Sequence, residues 1–418
     1  MSSKMNAAIL LIGLLVGGAA GYYLTPKGIS QDQFNALQTQ NTALQNQITQ
    51  LRAEVDQLEG KTNNTETVNL ATKVGIGEYF TDSKGFALYY FAKDVPSTGM
   101  SAATNQTLAK WTPFYVSPVV TATGINATDF TTITGPNGKP QLSYKGWPLY
   151  KFLSDVNPGQ TNGEGFNNLW WVMKPKYTLI LSYSDELGLH FATLDDKGIY
   201  YYTGDVPDSG SINAVSEWTD LFTPFKGTAI NVPSTLNPLS FTSTSGMDVA
   251  SGVQLTNGVA YRGWPLYTYN YDVKPGDTIG DGFNANQTNF LTQIDMPLWF
   301  IMKPDYNIMV ENNDFQGGVL TDGDGMTLYY NINDKPESPS SKLNTTSLWR
   351  PYNSTPTVAP SWLPLDEFKV FNRSDGASQV EFLGWPLYYY VGDVNPGDMK
   401  GEGLLGQWYV FDPYNPPG

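Results

Sequence analysis

One pentapeptide recurs three times along this chain, as Gly146-Trp147-Pro148-Leu149-Tyr150, Gly263-Trp264-Pro265-Leu266-Tyr267 and Gly384-Trp385-Pro386-Leu387-Tyr388. Each copy runs on to an aspartate (Asp155, Asp272, Asp393) and then to a Pro-Gly turn at Gly159, Gly276 and Gly397. The copies lie roughly 120 residues apart, so one unit has been built three times and function has to be sought per unit and in the array. A weaker copy precedes each strong one: Tyr89 to Asp94, Tyr200 to Asp205 and Tyr329 to Asp334. The chain therefore reads as three modules, each a pseudo-duplicate carrying two Tyr-x4-Asp half-units. Every module closes on an aromatic run ending in proline, at Pro175, Pro304 and Pro413.

After residue 74 no long helical period survives. Short aromatic and β-branched runs such as Phe86–Phe91, Leu179–Tyr183 and Phe382–Val391 stand between Gly, Pro, Asn and Asp clusters, which is the pattern of β structure. Pro148, Pro265 and Pro386 have to lie at a sheet edge or a strand start, because proline cannot donate to a ladder. The predicted fold is mainly β: three tandem antiparallel modules at 74–180, 181–308 and 309–418. The alternative is a single six-bladed, propeller-like array with one blade per half-unit. Short helices are expected near Trp111, Trp218 and Trp349.

The paired Tyr-x4-Asp motif, the Gly-Trp-Pro-Leu-Tyr strand and the Asp-x-x-Pro-Gly loop resemble the secreted "lipoprotein repeat" family of bacteria and archaea, over roughly residues 75–414. The resemblance implies an exported β module; that family has no established biochemical activity. Its members carry two cysteines in a short helix after the first half-motif. The matching stretches here, around Trp111, Trp218 and Trp349, have none, so no disulfide staple or thiol role carries over.

Residues 6–24 are almost wholly apolar, and 19 residues at about 1.5 Å each nearly cross a ~30 Å hydrocarbon layer. Residues 1–28 are thus predicted to be a transmembrane anchor, the alternative being a signal peptide cleaved near Ala19-Ala20-Gly21. Over 29–60, Phe34, Leu37, Asn41, Leu44, Ile48, Leu51, Val55 and Leu58 alternate three and four apart. That is a parallel coiled-coil seam, with Asn41 fixing register, and it predicts a homo-oligomeric stalk. Residues 61–73 read as a linker.

A net charge of −15 argues against nucleic acid, which needs a basic surface. One histidine, His190, and no cysteine remove His-rich and thiolate metal sites and Cys chemistry; His190 reads as structural. No haem, copper or iron–sulfur ligand set is visible, so no cofactor is expected. Seven sequons, at Asn63, Asn105, Asn126, Asn286, Asn344, Asn353 and Asn372, mark glycosylation candidates. Charged residues are only 15%, and uncharged polar cover suits an acidic medium, in which carboxylates near their usual pKa of about 4 stop conferring charge. This points to an exported protein of an acid-living archaeon.

Two readings compete for the recurrent aspartates. In the structural one, each Asp caps its turn while the Tyr ring fills the core; this accounts for Tyr89, Asp94, Tyr150, Asp155, Tyr200, Asp205, Tyr267, Asp272, Tyr329, Asp334, Tyr388 and Asp393 together, whereas an active site would need only one copy. In the sharper one, Asp155, Asn157 and Glu164, with Asp272, Asp277 and Asp281, and Asp393, Asn395, Asp398 and Glu402, line Gly-rich loops as Ca²⁺ ligands. Paired carboxylates also invite a glycosidase reading, but no single distinctive pair stands out. Trp147, Trp264 and Trp385 read as core, and Trp362 and Tyr352 as candidates for a contact surface. The expectation is a single-pass, non-enzymatic surface protein whose modules serve a structural or binding role toward envelope protein or glycan. The alternative is an accessory extracytoplasmic subunit of a membrane redox or transport complex.

Overall fold

The computed structural model describes residues 66–208, 221–227, 230–244, 257–284, 297–313, 317–334, 347–373 and 375–417, with helical pieces at 35–36, 39–40, 42–44 and 46–48. The anchor segment 1–28 lies outside the described residues, as do Phe34, Leu37, Asn41, Leu51, Val55, Leu58, Trp218 and the sequons at Asn63, Asn286 and Asn344. Among the described residues, no helix is long and apolar enough to cross a membrane.

The modules are mainly β and share one plan. Module 1 contains β1 (Val68–Lys73), β2 (Gly77–Asp82), β3 (Tyr89–Phe91), β4 (Trp111–Pro113), β5 (Phe130–Thr134), β6 (Pro140–Tyr144), β7 (Trp147–Pro148), β8 (Tyr150–Phe152) and β9 (Trp170–Val172). They form a β1-β2 hairpin, a four-stranded sheet ordered β4-β8-β3-β9 and a three-stranded sheet ordered β5-β6-β7. Module 2 repeats the plan with β10 (Ile180–Ser184), β11 (Gly188–Ala192), β12 (Ile199–Tyr202), β13 (Phe222–Pro224), β14 (Phe241–Thr244), β15 (Gly258–Tyr261), β16 (Trp264–Pro265), β17 (Tyr267–Tyr269) and β18 (Trp299–Ile301). Module 3 does so with β19 (Ile308–Asn313), β20 (Gly317–Asp322), β21 (Tyr329–Asn331), β22 (Trp349–Pro351), β23 (Phe368–Asn372), β24 (Ser378–Phe382), β25 (Trp385–Pro386), β26 (Tyr388–Tyr390) and β27 (Trp408–Val410).

Two expectations change. Residues 68–73, read as linker, form β1, because Val68 to Lys73 pair antiparallel with Asp82 to Gly77 and bury Val68. The one-blade-per-half alternative does not hold, because the four-stranded sheet interleaves the halves: Tyr89 on β3 faces Tyr150 on β8, and Tyr200 faces Tyr267, and Tyr329 faces Tyr388. The short helix expected near Trp111 is present as α1 (Asn105–Leu108), and Trp111 and Trp349 themselves open strands.

The pentapeptide owes its order to a hairpin. Lys145 and Gly146 both have positive φ, 47° and 87°, between β6 and β7; Arg262-Gly263 and Leu383-Gly384 repeat this. Two positive-φ residues make the type I′ turn that matches strand twist, and glycine takes the second place without strain. Trp147 then pairs with Tyr144, and Pro148 sits on edge strand β7.

The core is aromatic and periodic. Trp111 stacks on Trp170 at 3.7 Å, Phe222 on Trp299 at 3.6 Å and Trp349 on Trp408 at 3.8 Å. Tyr150, Tyr267 and Tyr388 set their edges against the same tryptophans at 86°, 90° and 88°. Such pairs add about 0.5–1.5 kcal/mol each beyond area burial, so very short strands hold their places.

The chain divides into two compact units. One comprises residues 1–177 with 231–239, and so holds module 1 and a segment of module 2; the other comprises 178–230 with 240–418. Within the second unit, modules 2 and 3 are stitched: Tyr414 Oη donates to Pro297 O at 2.6 Å, Asn312 N to Thr203 O at 2.6 Å, and Arg262 bonds Asp324 and the Tyr306 carbonyl.

Candidate functional site

The repeated tyrosines and aspartates meet across the halves. A Tyr and the Asp five residues on do not bond each other. Tyr89 Oη donates to Asp155 Oδ2 at 2.6 Å, and Tyr150 Oη to Asp94 Oδ2 at 2.8 Å. The exchange recurs as Tyr200–Asp272 (2.6 Å) with Tyr267–Asp205 (2.7 Å), and as Tyr329–Asp393 (2.6 Å) with Tyr388–Asp334 (2.8 Å). The second carboxylate oxygen accepts a backbone N–H: Ala102 for Asp94, Asn162 for Asp155, Ile279 for Asp272 and Lys400 for Asp393. Gly163, Gly280 and Gly401 donate in turn to the hydroxyls of Tyr89, Tyr200 and Tyr329. A Cβ on Gly163 would stand 2.6 Å from the Trp111 ring, and one on Gly401 2.7 Å from Trp349, so only glycine lets the loop approach.

Each tie thus fastens one half's loop to the other half's strand, inside an aromatic core. Burial pushes the Asp94 carboxyl up to about 7, against the Ala102 N–H and the Tyr150 and Ser101 hydroxyls, which favour the anion. Burial likewise raises Asp272 and Asp334 to about 6, and raises Asp393. These acids hold their protons well into the range where ordinary carboxyls are ionised.

The calcium candidates have separate occupations. Asp155, Asp272 and Asp393 belong to the ties. Asp277 Oδ2 accepts the N–H groups of Val273 and Lys274, and Asp398 Oδ2 those of Val394 and Asn395; Gln160 does the same for Val156 and Asn157. Asn157 and Asn395 enter these turns through their backbone. Glu164, Asp281 and Glu402 accept from the third residue of the closing strand: Val172 N at 2.6 Å, Ile301 N at 2.7 Å and Val410 N at 2.6 Å. Among the described residues, no group of three or more His, Asp or Glu side chains is gathered as a metal would need.

Those closing-strand carboxyls mark a seat that the sequence did not single out. In the first unit, Glu164 Oε1 accepts from the Ser234 hydroxyl at 2.7 Å, and Trp171 Nε1 donates to Thr235 Oγ1 at 3.0 Å. Lys174 Nζ donates to Val232 O at 2.6 Å and Asn231 Oδ1 at 3.2 Å. Segment 231–239 of module 2 is therefore gripped by module 1's closing strand. Burial lowers Lys174 to about 8, with Glu164 opposing, and raises Glu164. In the second unit Ser361 of module 3 hydrogen-bonds Asp281 of module 2, and burial lowers Lys303. The signal in sequence was the recurrence of Val232-Pro233-Ser234 as Ala359-Pro360-Ser361, and of Met-Lys-Pro at Lys174 and Lys303.

Trp147 and Trp264 are fully buried and Trp385 nearly so. Tyr352, read as a contact residue, is instead 1% exposed, its hydroxyl donating to Asn307 O; Trp362 is exposed and packs on Tyr414. His190 is buried against the Gly188 carbonyl, and burial lowers it to about 4. Asn105, Asn126, Asn353 and Asn372 are exposed. Of the stalk seam, Leu44 and Ile48 are helical, with Leu44 exposed.

A family described as a secreted repeat of unknown function matches the chain three times, over residues 131–174, 254–289 and 369–412. Each match spans a pentapeptide and the tie aspartate that follows it. No curated protein and no solved structure matches the chain.

Proposed function

We propose that this chain is a non-enzymatic surface protein, anchored by residues 1–28, raised on an oligomeric stalk over 29–60, and presenting three rigid modules outside the cell in a structural or binding role. The observation that carries this is the saturation of the repeated polar groups. The carboxylates that recur in every module are bonded to tyrosine hydroxyls and backbone N–H groups within it. A nucleophile, general base or metal ligand needs an oxygen turned to a substrate; these are turned to their own fold. The family description supplies the exported location. Asp94, Asp272 and Asp334, which keep their protons to about pH 6–7, suit an acidic exterior, because these three ties stay neutral there.

Proteolysis of intact cells tests the placement. With an epitope tag after Gly418, protease added outside is expected to remove the tag while the cells stay sealed. A tag protected until lysis overturns the reading.

A further inference from the structure

The segment-in-seat contact has unequal ends. Between Trp111 and Phe130, Phe222 and Phe241, and Trp349 and Phe368 the chain has the same length, so Thr123 is the counterpart of Ser234 and Ser361. The same turn confirms the equivalence: Ile125 N bonds Ala122 O, Leu236 N bonds Pro233 O, and Leu363 N bonds Pro360 O. In modules 2 and 3 this segment is buried at Val232, Pro233 and Leu236, and at Ala359, Pro360 and Leu363. In module 1 its counterparts Thr121, Ala122 and Ile125 are only half-buried.

The seat shows the complementary asymmetry. Its aromatic floor is sealed in module 1, where Tyr90 and Trp171 are 0% and 1% exposed, and in module 2, where Tyr201 and Phe300 are both 0% exposed. In module 3 the corresponding Tyr330 and Tyr409 are only part-buried; Glu402 is part-exposed as Glu164 is, and Leu405 in the same loop is 79% exposed at a position, Asn167 in module 1, that is exposed there too. Glu402 Oε2 holds Val410 N just as Glu164 Oε2 holds Val172 N, so the seat is built although its face is open.

We propose that the open seat of module 3 receives the 121–125 segment of a second copy of this chain, with the Thr123 hydroxyl approaching Glu402 as Ser234 approaches Glu164. The occupant is argued from the two seats inside the chain, each gripping this segment of a following module. Unlike surfaces meet, so the contact is head-to-tail, module 3 of one copy to module 1 of the next. Asp412 stands where Lys174 and Lys303 stand, so the ammonium-to-carbonyl bond is missing and the contact is weaker than its internal models. The inference goes beyond the surface-protein reading and stands or falls independently of it.

The chain has no cysteine, which makes cross-linking clean. Full-length Thr123→Cys and Glu402→Cys proteins, oxidised mildly, are each expected to stay monomeric on a denaturing gel. Mixed, they are expected to give a disulfide-linked dimer at least about tenfold above either alone. Leu405→Cys replaces Glu402→Cys should the latter disturb the closing strand. A parallel coiled coil sets like residues side by side, so it would raise the single-variant signals and not the mixture's. A mixture yielding no more dimer than the single variants, with both pairs, overturns the proposal and leaves module 3 as a terminal cap.

Discussion

Replacing Asp94 by asparagine separates the two states of a tie. The amide keeps an oxygen for the Ala102 N–H and offers an N–H to the Tyr150 oxygen, so it imitates the protonated acid. In the folded chain this carboxyl titrates at about 7, against 3.8 for an ordinary aspartate, and it is 1% exposed. The native state therefore holds a proton that the unfolded chain releases between pH 4 and 7. A raised carboxyl pKa contributes stability that is complete below pH 4 and lost as pH rises through 7. Three units at 1.36 kcal/mol each give a swing of about 4 kcal/mol. The variant is expected to lie within about 1 kcal/mol of the parent at pH 4 and to exceed it by about 2–4 kcal/mol at pH 9. Urea unfolding followed by tryptophan fluorescence reads this, since Trp111 and Trp170 are stacked in the same module. Other buried groups titrate too, Asp196 at about 7, Glu311 at about 8 and His190, in the opposite sense, at about 4. They are common to both proteins and cancel in the difference. Equal destabilisation at pH 4 and pH 9 would refute the reasoning, because it would mean that the acid is already ionised in its site.

Gly163→Ala forces a methyl to 2.6 Å from the Trp111 ring and 3.0 Å from Tyr89, and is expected to cost about 1–3 kcal/mol by the same urea assay; a neutral result would mean the loop can withdraw. Ser234→Ala removes the hydroxyl on Glu164 and leaves that carboxyl oxygen only the longer bond from the Ser234 N–H, at 3.3 Å. It is expected to cost about 1–3 kcal/mol and to speed hydrogen exchange over 231–239, and unchanged protection there would count against the seat.

The modules were legible because repetition is a one-dimensional signal: Trp147, Trp264 and Trp385 could be placed in a core, and Pro148 at an edge, without coordinates. The ties were not. Tyr89 and Asp94 are neighbours in sequence, but the partner of Tyr89 is Asp155, 66 residues on, and only the β3-to-β8 register decides that exchange. Glu164, Asp281 and Glu402 looked like ligands because loop carboxylates at glycines are what cations use. Their true partners, the N–H groups of Val172, Ile301 and Val410, carry no signature in residue type. Val68–Lys73 passed for linker because it is polar and short of large apolar residues, while the strand it pairs with supplies the buried aromatic ones, Tyr79 and Phe80.

A double-mutant cycle on Tyr89 and Asp155 is the most direct test of the tie itself. Tyr89→Phe, Asp155→Asn and the double variant, unfolded in urea at one pH, are expected to show a coupling of about 1–3 kcal/mol, the range for a buried bond that each partner loses with the other. A coupling below about 0.3 kcal/mol would show that the two side chains act independently, and that the six-fold motif is held together by something other than the exchange of tyrosines and aspartates between its halves.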